Sequence, residues 1–311
     1  MILLCGIPSE SPIRLVNERL NTLGIETVIF SQRQINDAEI EWKWIKNKPQ
    51  GNLHLFNCSY ELNKFSGIYL RMMDDSYLPE IKNNAEEEKE RSKIFHQKLT
   101  QWMEVNNNIV VNKYSSMFSN SSKPYQAQII RKFGLETPPT LITNNINSLR
   151  EFQKKYPHII YKSISGIRSI VKEFLPEDED RLAMIQYCPV QFQAKLDGYD
   201  VRVHVIGNKT FATKIKTTGV DYRYAHKEKG GSTELKETKI PKYVQEACIN
   251  VSAHLGLHFS GIDLRFTTDG KVYCFEVNPM PGYSYYESNT GQPISLELAN
   301  YLCGKSEILV K

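Results

Sequence analysis

The chain has 311 residues, 41% of them hydrophobic and 24% charged, a composition ordinary for a globular protein with room for two or three domains. Its 39 basic and 35 acidic side chains leave a net charge of +4, which suits an anionic substrate but gives no support to nucleic-acid binding, since no basic, aromatic-interleaved stripe accompanies it. The opening "MILLCGI" is too short for a signal segment and lacks its basic flank, no run approaches the roughly 18 apolar residues of a membrane span, and Cys5, Cys58, Cys188, Cys248, Cys274 and Cys303 form no C-x-x-C pair; a cytoplasmic protein in a reducing compartment is expected.

"MILLCGI" reads as a strand, "SPIRLVNERLNTLG" as a helix stopped by Gly24 and "IETVIF" as a second strand, so the chain opens as a β-α-β unit. "FSGIYLR" follows as a strand and "AEEEKERSKIFHQKLTQWMEV" as a helix whose early acids and later bases match the helix dipole. After the short strand "NNNIVVN", the polar "SSMFSNSSKP" marks a boundary near residue 113. Beyond it come a helix, "YQAQIIRKFGL", a break at Pro138 and Pro139, the strand "TLITN", the helix "INSLREFQKKY" and the strand "HIIYKSI". From about residue 189 the pattern is strand-rich, with three hairpin-like segments, and it ends in the helix "PISLELANYL". Domains are expected at residues 1–112, 113–190 and 191–311.

Several familiar sites are excluded. "CGKS" at 303–306 has the end of a phosphate-binding loop, but Ala299 stands where its first glycine is needed and a helix precedes it. No G-x-S-x-G, H-E-x-x-H or paired C-x-x-C occurs, so serine hydrolysis and structural zinc lack a motif. Two strands carry charge on one face. In "YDVRVHVIG" the period of two puts Asp200, Arg202 and His204 opposite Val201, Val203 and Val205. His204 and His226 each read first as packing or hydrogen-bonding residues. In "DYRYAHKEKGGS", Asp221, Arg223 and Gly230-Gly231 suit an anion site, because arginine grips phosphate or carboxylate with a bidentate fork.

The most informative stretch is "GIDLRFTTDGKVYCFEVNPMPG". A two-residue Asp269-Gly270 turn would place Asp263 directly opposite Glu276, with Arg265, Cys274 and Asn278 on the same face and Ile262, Leu264, Phe266, Tyr273, Phe275 and Val277 on the other. Carboxylates so placed sit roughly 4.5–5.5 Å apart at Cβ and destabilise the sheet unless neutralised. A divalent cation would do that, and carboxylate plus amide oxygen suits Mg²⁺ or Mn²⁺. Replacing either acid by its amide should then leave the metal-free protein as stable or more so. A turn one residue longer would break the register, and the alternative is a solvated face with Arg265 between the acids.

In order along the chain stand a lysine opening a helix (Lys123), a lysine ending a strand (Lys162 in "IIYKSISGIRSIV"), "DVR", "DYR…GG" and the D-x12-E-x-N of Asp263, Glu276 and Asn278. Together these resemble the ATP-grasp ligases, nearest in shape to the glutathione synthetases and ribosomal-protein glutamate ligases. The resemblance covers residue 113 to the end and implies an α/β fold of three domains: an N-terminal α/β domain and two ATP-grasp subdomains with nucleotide between them. Lys123 and Lys162 would contact phosphates, Asp200 the nucleotide, and Arg202 and Arg223, with Lys214 in reserve, phosphate or substrate carboxylate. Asp263, Glu276 and Asn278 match the metal ligands. Gln193, Ala194, Lys195 and Leu196 in "VQFQAKL" would form the adenine hinge, although relatives often carry Gln-Glu-aromatic there. The glycine-rich lid is reduced to Gly166, with Ser163, Ser165 and Ser169 around it. "RYA" at 223–225 departs from the Asn that glutamate ligases carry at its third position.

The implied chemistry is activation of a carboxylate by ATP, with Mg²⁺ or Mn²⁺, to an acyl phosphate that an amine or alcohol attacks. "TGQPIS" after the E-V-N-P strand resembles the microviridin-type peptide-cyclising ligases, the graspetide synthetases, which implies an acidic precursor peptide with a leader as partner, in a monomer or homodimer. The alternatives are a ligase that joins small amino acids or extends a protein terminus, and a non-catalytic nucleotide sensor.

Overall fold

A computed structural model of the chain describes residues 1–164, 171–217 and 233–305. The N-terminal part runs β1 (Ile2–Gly6), α1 (Ser11–Thr22), β2 (Thr27–Ser31), β3 (Ala38–Ile45), β4 (Lys48–Leu55), β5 (Cys58–Glu61), β6 (Gly67–Arg71), α2 (Pro79–Lys82), α3 (Glu86–Val105) and β7 (Ile109–Val111). Next come α4 (Tyr114–Met117), α5 (Lys123–Lys132), β8 (Thr140–Thr143), α6 (Ile146–Lys155), β9 (Ile159–Ser163), β10 (Lys172–Glu173) and β11 (Val190–Ala194). The chain continues through β12 (Gly198–Ile206), β13 (Lys209–Thr217), β14 (Thr233–Glu237), α7 (Lys242–His254), β15 (Phe259–Thr267), β16 (Val272–Asn278), α8 (Ser284–Thr290) and α9 (Ile294–Leu302).

The opening β-α-β unit forms as its periodicity predicts. β1 lies in a parallel sheet of order β2-β1-β6-β7 and is buried along its whole length, as a strand covered on both faces must be. α1 starts with Pro12 in its first turn, buries Ile13, Val16 and Leu20, and is followed by Gly24 at φ +70°. Residues 38–61, where the periodicity offers no assignment, fold as the antiparallel meander β3-β4-β5, turned between β3 and β4 by Lys46 and Asn47 at positive φ. α9 closes back on α1, so Ile13, Val16 and Leu20 share a core with Ile294, Leu298 and Leu302.

The second sheet has the order β10-β9-β11-β8. β11 pairs with β8 on one side and β9 on the other, and we propose that the middle domain runs through Ala194 rather than ending at residue 190. The third sheet, β14-β13-β12-β15-β16, is antiparallel, with β12 and β15 at its centre. One of its faces buries Val201, Val203, Val205, Ile262 and Leu264 against α7. That helix interrupts a region that reads as strand-rich. Its buried Val244, Ala247, Cys248 and Val251 follow the i, i+3, i+4, i+7 spacing of an amphipathic helix. Among the described residues no helix is long and apolar enough to cross a membrane.

Two buried amides tie the third sheet to its surroundings. Asn112, just after β7, donates to the Phe259 and Pro279 carbonyls at 2.6 Å each and accepts from the Phe259 N–H at 3.1 Å. Gln126 on α5 donates to the Val277 carbonyl at 2.8 Å and accepts from the Val277 N–H at 2.9 Å. Its side chain therefore stands in for a neighbouring strand along β16 and fixes α5 beside it. Gln126→Ala strands both Val277 groups in the interior, so it should lower the unfolding free energy by about 2–3 kcal/mol. Urea denaturation measures this, and a loss under about 0.5 kcal/mol would show that Gln126 does not hold the two elements together.

Candidate functional site

The β15–β16 hairpin reaches the expected pairing by an unexpected route. Its turn holds three residues, Thr268, Asp269 and Gly270: Phe266 faces Val272, the Thr267 N–H donates to the Lys271 carbonyl at 3.0 Å, and Gly270 takes φ +83°. This is one residue more than the Asp-Gly turn, and Leu264 accordingly faces Cys274. A bulge between Asp263 and Leu264 then admits Phe275 as an extra residue and restores Asp263 to Glu276, Ile262 to Val277 and Gly261 to Asn278. The two shifts cancel at the carboxylates but not between them. Cys274, expected beside the acids, is fully buried in the core, where burial pushes its thiol far up. Phe275, expected in the core, lines the cleft with Arg265, whose guanidinium stands 5.3 Å from its ring centre.

Each facing carboxylate already has a cation. Arg202 Nη1 lies 2.6 Å from Asp263 Oδ1, and Lys123 Nζ lies 2.6 Å from Glu276 Oε2 and 2.6 Å from Asn120 Oδ1. Arg202 is only 5% exposed. Protein cations thus supply the neutralisation that the sequence pattern assigned to a metal. Asp200 is gripped by Arg265 through a bidentate fork at 2.7 and 2.8 Å, and Arg265 also donates to the Leu196 carbonyl at 3.0 Å. These contacts join β12, β15 and β16 to α5, which Gln126 sets in place one helical turn beyond Lys123.

Asp263 and Glu276 open into a cleft of about 530 Å³ between the second and third sheets. It brings together Lys162, Gln193, Ala194, Lys195, Leu196 and Asp200, along with the apolar residues Ile160, Val171 and Ile215. Gln193 is buried and donates to Thr140 Oγ1 at 3.0 Å, so its side chain braces β8 while the strand passes along the cleft. Lys195 pairs with Glu173 at 2.7 Å. Asn278 ends β16, and its Oδ1 accepts from the Met280 N–H at 2.9 Å, leaving a second lone pair on that oxygen. Ser163 is exposed at the end of β9 and does not line the cleft. Lys214 is not among the residues lining the cleft: it pairs with Val201, whose side chain packs toward α7, and holds its Nζ 3.7 Å from the centre of the Tyr199 ring. Arg223 and Gly166, with Ser165, Ser169, Asp221, His226 and the Gly230-Gly231 pair, lie outside the described residues.

Asp263, Glu276 and Asn278 offer two carboxylates and an amide oxygen close together along one strand pair, a donor set that fits Mg²⁺ or Mn²⁺. Among the described residues no group of three or more His, Cys, Asp or Glu gathers to hold a metal, here or elsewhere; the donor set at this site is two carboxylates and one amide oxygen. Behind the site, His204 is fully buried, its ring 4.9 Å from that of Tyr286 and 6.2 Å from that of Phe259. Burial, and then the Arg202 charge beside it, hold its pKa well below the ordinary 6.5, so it is a neutral packing residue. Sequence patterns point to neither Gln126 nor Asn120, although each lies three residues from Lys123.

Comparison with known proteins gives three kinds of match. The family model described as RimK-like ATP-grasp domain matches residues 120–302. A curated protein of Vibrio atlanticus, named a probable alpha-L-glutamate ligase, is 30% identical over 105 residues, or 34% of this chain and 34% of that protein. The match therefore spans about a third of that relative's length. Among solved structures, a Chryseobacterium gregarium RiPP-associated ATP-grasp ligase in complex with ADP, and a leader and core peptide, superposes with a TM-score of 0.84 at 19% identity, covering 99% of this chain and 97% of that one. The macrocyclase MdnC bound with precursor peptide MdnA, from Microcystis aeruginosa, gives 0.80 at 20% identity, with coverage of 97% and 99%. Both share the fold over essentially the whole chain, including the N-terminal β-α-β part.

Asp263→Asn leaves the buried Arg202 guanidinium facing a neutral amide, so it should destabilise the ligand-free protein by about 2 kcal/mol, the reverse of relief from repulsion. Lys123 and Glu276 are more exposed, and Glu276→Gln should cost no more than about 1 kcal/mol. Chemical denaturation of the two variants checks the order, and a stabilised Asp263→Asn would contradict the pairing. A second outcome concerns pH. Because the folded-state pKa of His204 is depressed, the unfolded chain binds the proton more readily, and stability is lost as pH falls below 6.5. The His204 share of that loss is at most about 1.4 kcal/mol per pH unit. His204→Leu should flatten the stability profile between pH 6.5 and 5 relative to the parent, and parallel profiles would show that the ring ionises freely in the folded state.

Proposed function

The chain belongs to the RimK-like ATP-grasp family, and from that premise we propose that it is an ATP-dependent carboxylate ligase, working through an acyl phosphate, that forms ester or amide side-chain links within a ribosomal peptide. The observation that carries the ligase reading is the cleft where Asp263 and Glu276 face each other, each held by a cation, with Lys162 and the β11 hinge on the opposite wall. Backbone groups of Gln193 to Leu196 hold the adenine edge, and the apolar side chains around them cover its ring faces. Lys123, Lys162 and Arg202 bind the phosphates. A Mg²⁺ or Mn²⁺ ion held by Asp263, Glu276 and Asn278 would offset the negative charge that builds as the phosphoryl group transfers.

The chemistry has two steps. A substrate carboxylate oxygen attacks the γ-phosphorus, and the bond to the β,γ-bridging oxygen breaks to give an acyl phosphate and ADP. An amine or hydroxyl then attacks the acyl carbon, loses its proton and expels phosphate. Fixed cations serve both steps, because charge is densest on the transferring and departing phosphate. Arg223, whose guanidinium suits a carboxylate, receives the acidic side chain.

For the peptide substrate, the support is the full-length likeness to two enzymes whose structures hold precursor, or leader and core, peptides. The second reading, a ligase that joins small amino acids or adds residues to a protein terminus, is favoured by the 30% identity to the probable glutamate ligase, which extends over only a third of that protein. The assay co-expresses the enzyme with each small Glu/Asp- and Ser/Thr/Lys-rich peptide encoded beside it. The expected result is loss of one water mass per link, release of ADP and phosphate, and capture of a hydroxamate when hydroxylamine is added. Unchanged peptide masses together with ligation of free amino acids would favour the second reading. AMP and pyrophosphate as products would overturn the acyl-phosphate chemistry.

A further inference from the structure

We infer that Gly261 is a positioning residue: its missing side chain is the space in which the Arg202 guanidinium lies to reach Asp263. The inference rests on the phosphate-binding role proposed for Arg202. Gly261 sits within the central strand β15, where glycine weakens a sheet and commonly marks a close approach by another group. Its backbone is not in the left-handed region, so conformation does not demand a glycine there. Sterics do. A Cβ at this position would stand 2.3 Å from Arg202 Nη2, 2.6 Å from Cζ and 2.7 Å from Nε, nearer than real Cβ atoms come to any neighbour. Three atoms of one planar group would clash together.

The guanidinium is bounded on its other sides by its carboxylate and an aromatic ring. Arg202 pairs across β12 and β15 with Asp263, two residues from Gly261 on the same face. Its Nη1 bonds Asp263 at 2.6 Å, and the Tyr286 ring lies 5.9 Å from its Cζ. The aromatic wall continues through His204, which packs edge-to-face on Tyr286 and lies directly opposite Gly261. Moving the head away from β15 would separate it from Asp263 inside a region that is almost closed to water, where an unpaired charge is costly. A single methyl at 261 therefore displaces the cation from its carboxylate without altering either charge.

The test is a double-mutant cycle of Gly261→Ala and Arg202→Ala, read by calorimetric titration with ADP and Mg²⁺ and by thermal melting. In the parent background, Gly261→Ala should weaken ADP binding about tenfold, the scale of one lost charge-assisted hydrogen bond. It should also lower the melting temperature. In the Arg202→Ala background the same methyl should change neither quantity, since the slot is empty. Equal losses in both backgrounds, or parent affinity and melting temperature for Gly261→Ala, would overturn the assignment. If Gly261→Ala alone does not fold, the double variant should still fold as well as Arg202→Ala, and failure to do so would equally overturn it. Parent nucleotide affinity in Arg202→Ala would remove the phosphate role of Arg202 instead, while the melting cycle still decides whether Gly261 acts through it.

Discussion

The facing pair Asp263 and Glu276 is the constraint around which the rest of the site is arranged. Like charges directly across a strand pair oppose the sheet that brings them together. The molecule meets that cost with cations from two directions: Arg202 from the next strand of the same sheet and Lys123 from the first turn of α5. Other features follow from these two contacts. Gln126 binds α5 to β16, Gly261 leaves room for the Arg202 head, and Arg265 is committed to Asp200 instead of standing between the acids. The result is that Asp263, Glu276 and Asp200 are each held in an ion pair around one cleft.

Such a site has its charges paired without a ligand yet is suited to one. Arg202 and Lys123 are held by carboxylates that suit a divalent metal, and they are themselves suited to phosphate. On the proposed reading they exchange carboxylate for phosphate when nucleotide enters, which frees Asp263 and Glu276 for the metal. Opposite charges then remain paired before and after binding, and no ion is left exposed in a low-dielectric cleft. Nucleotide and metal binding are consequently coupled, because each releases the partners that the other needs.

Much of this was legible in the sequence, and the exceptions have physical causes. The opening β-α-β unit, the α5 helix and the charged face of β12 follow from apolar periodicity. The pairing of Asp263 with Glu276 was predicted from a two-residue turn that does not exist. A longer turn and a bulge compensate for one another, so the carboxylates keep their places while Cys274 and Phe275 exchange faces. No local pattern announces a bulge, since the extra residue is set by tertiary packing. Lys214 carries a suitable charge, but charge alone does not place a side chain: strand pairing with Val201 puts it on the face away from Asp200 and Arg202. The cations of the acids were individually visible, but their partnership with these carboxylates was not, because Lys123 and Glu276 are 153 residues apart. The roles of Gln126 and Gly261 exist only in three dimensions, one as a splint and the other as a space.

The central claim is that Asp263 and Glu276 become metal ligands once nucleotide has drawn off their cations. Calorimetric titration of ADP into the protein with and without Mg²⁺, in the parent and in Glu276→Gln, tests it most directly. The account predicts at least about tenfold tighter ADP binding with Mg²⁺ in the parent, and loss of most of that gain in Glu276→Gln. Equal affinity with and without the metal in the parent, or an undiminished gain in the variant, would contradict it.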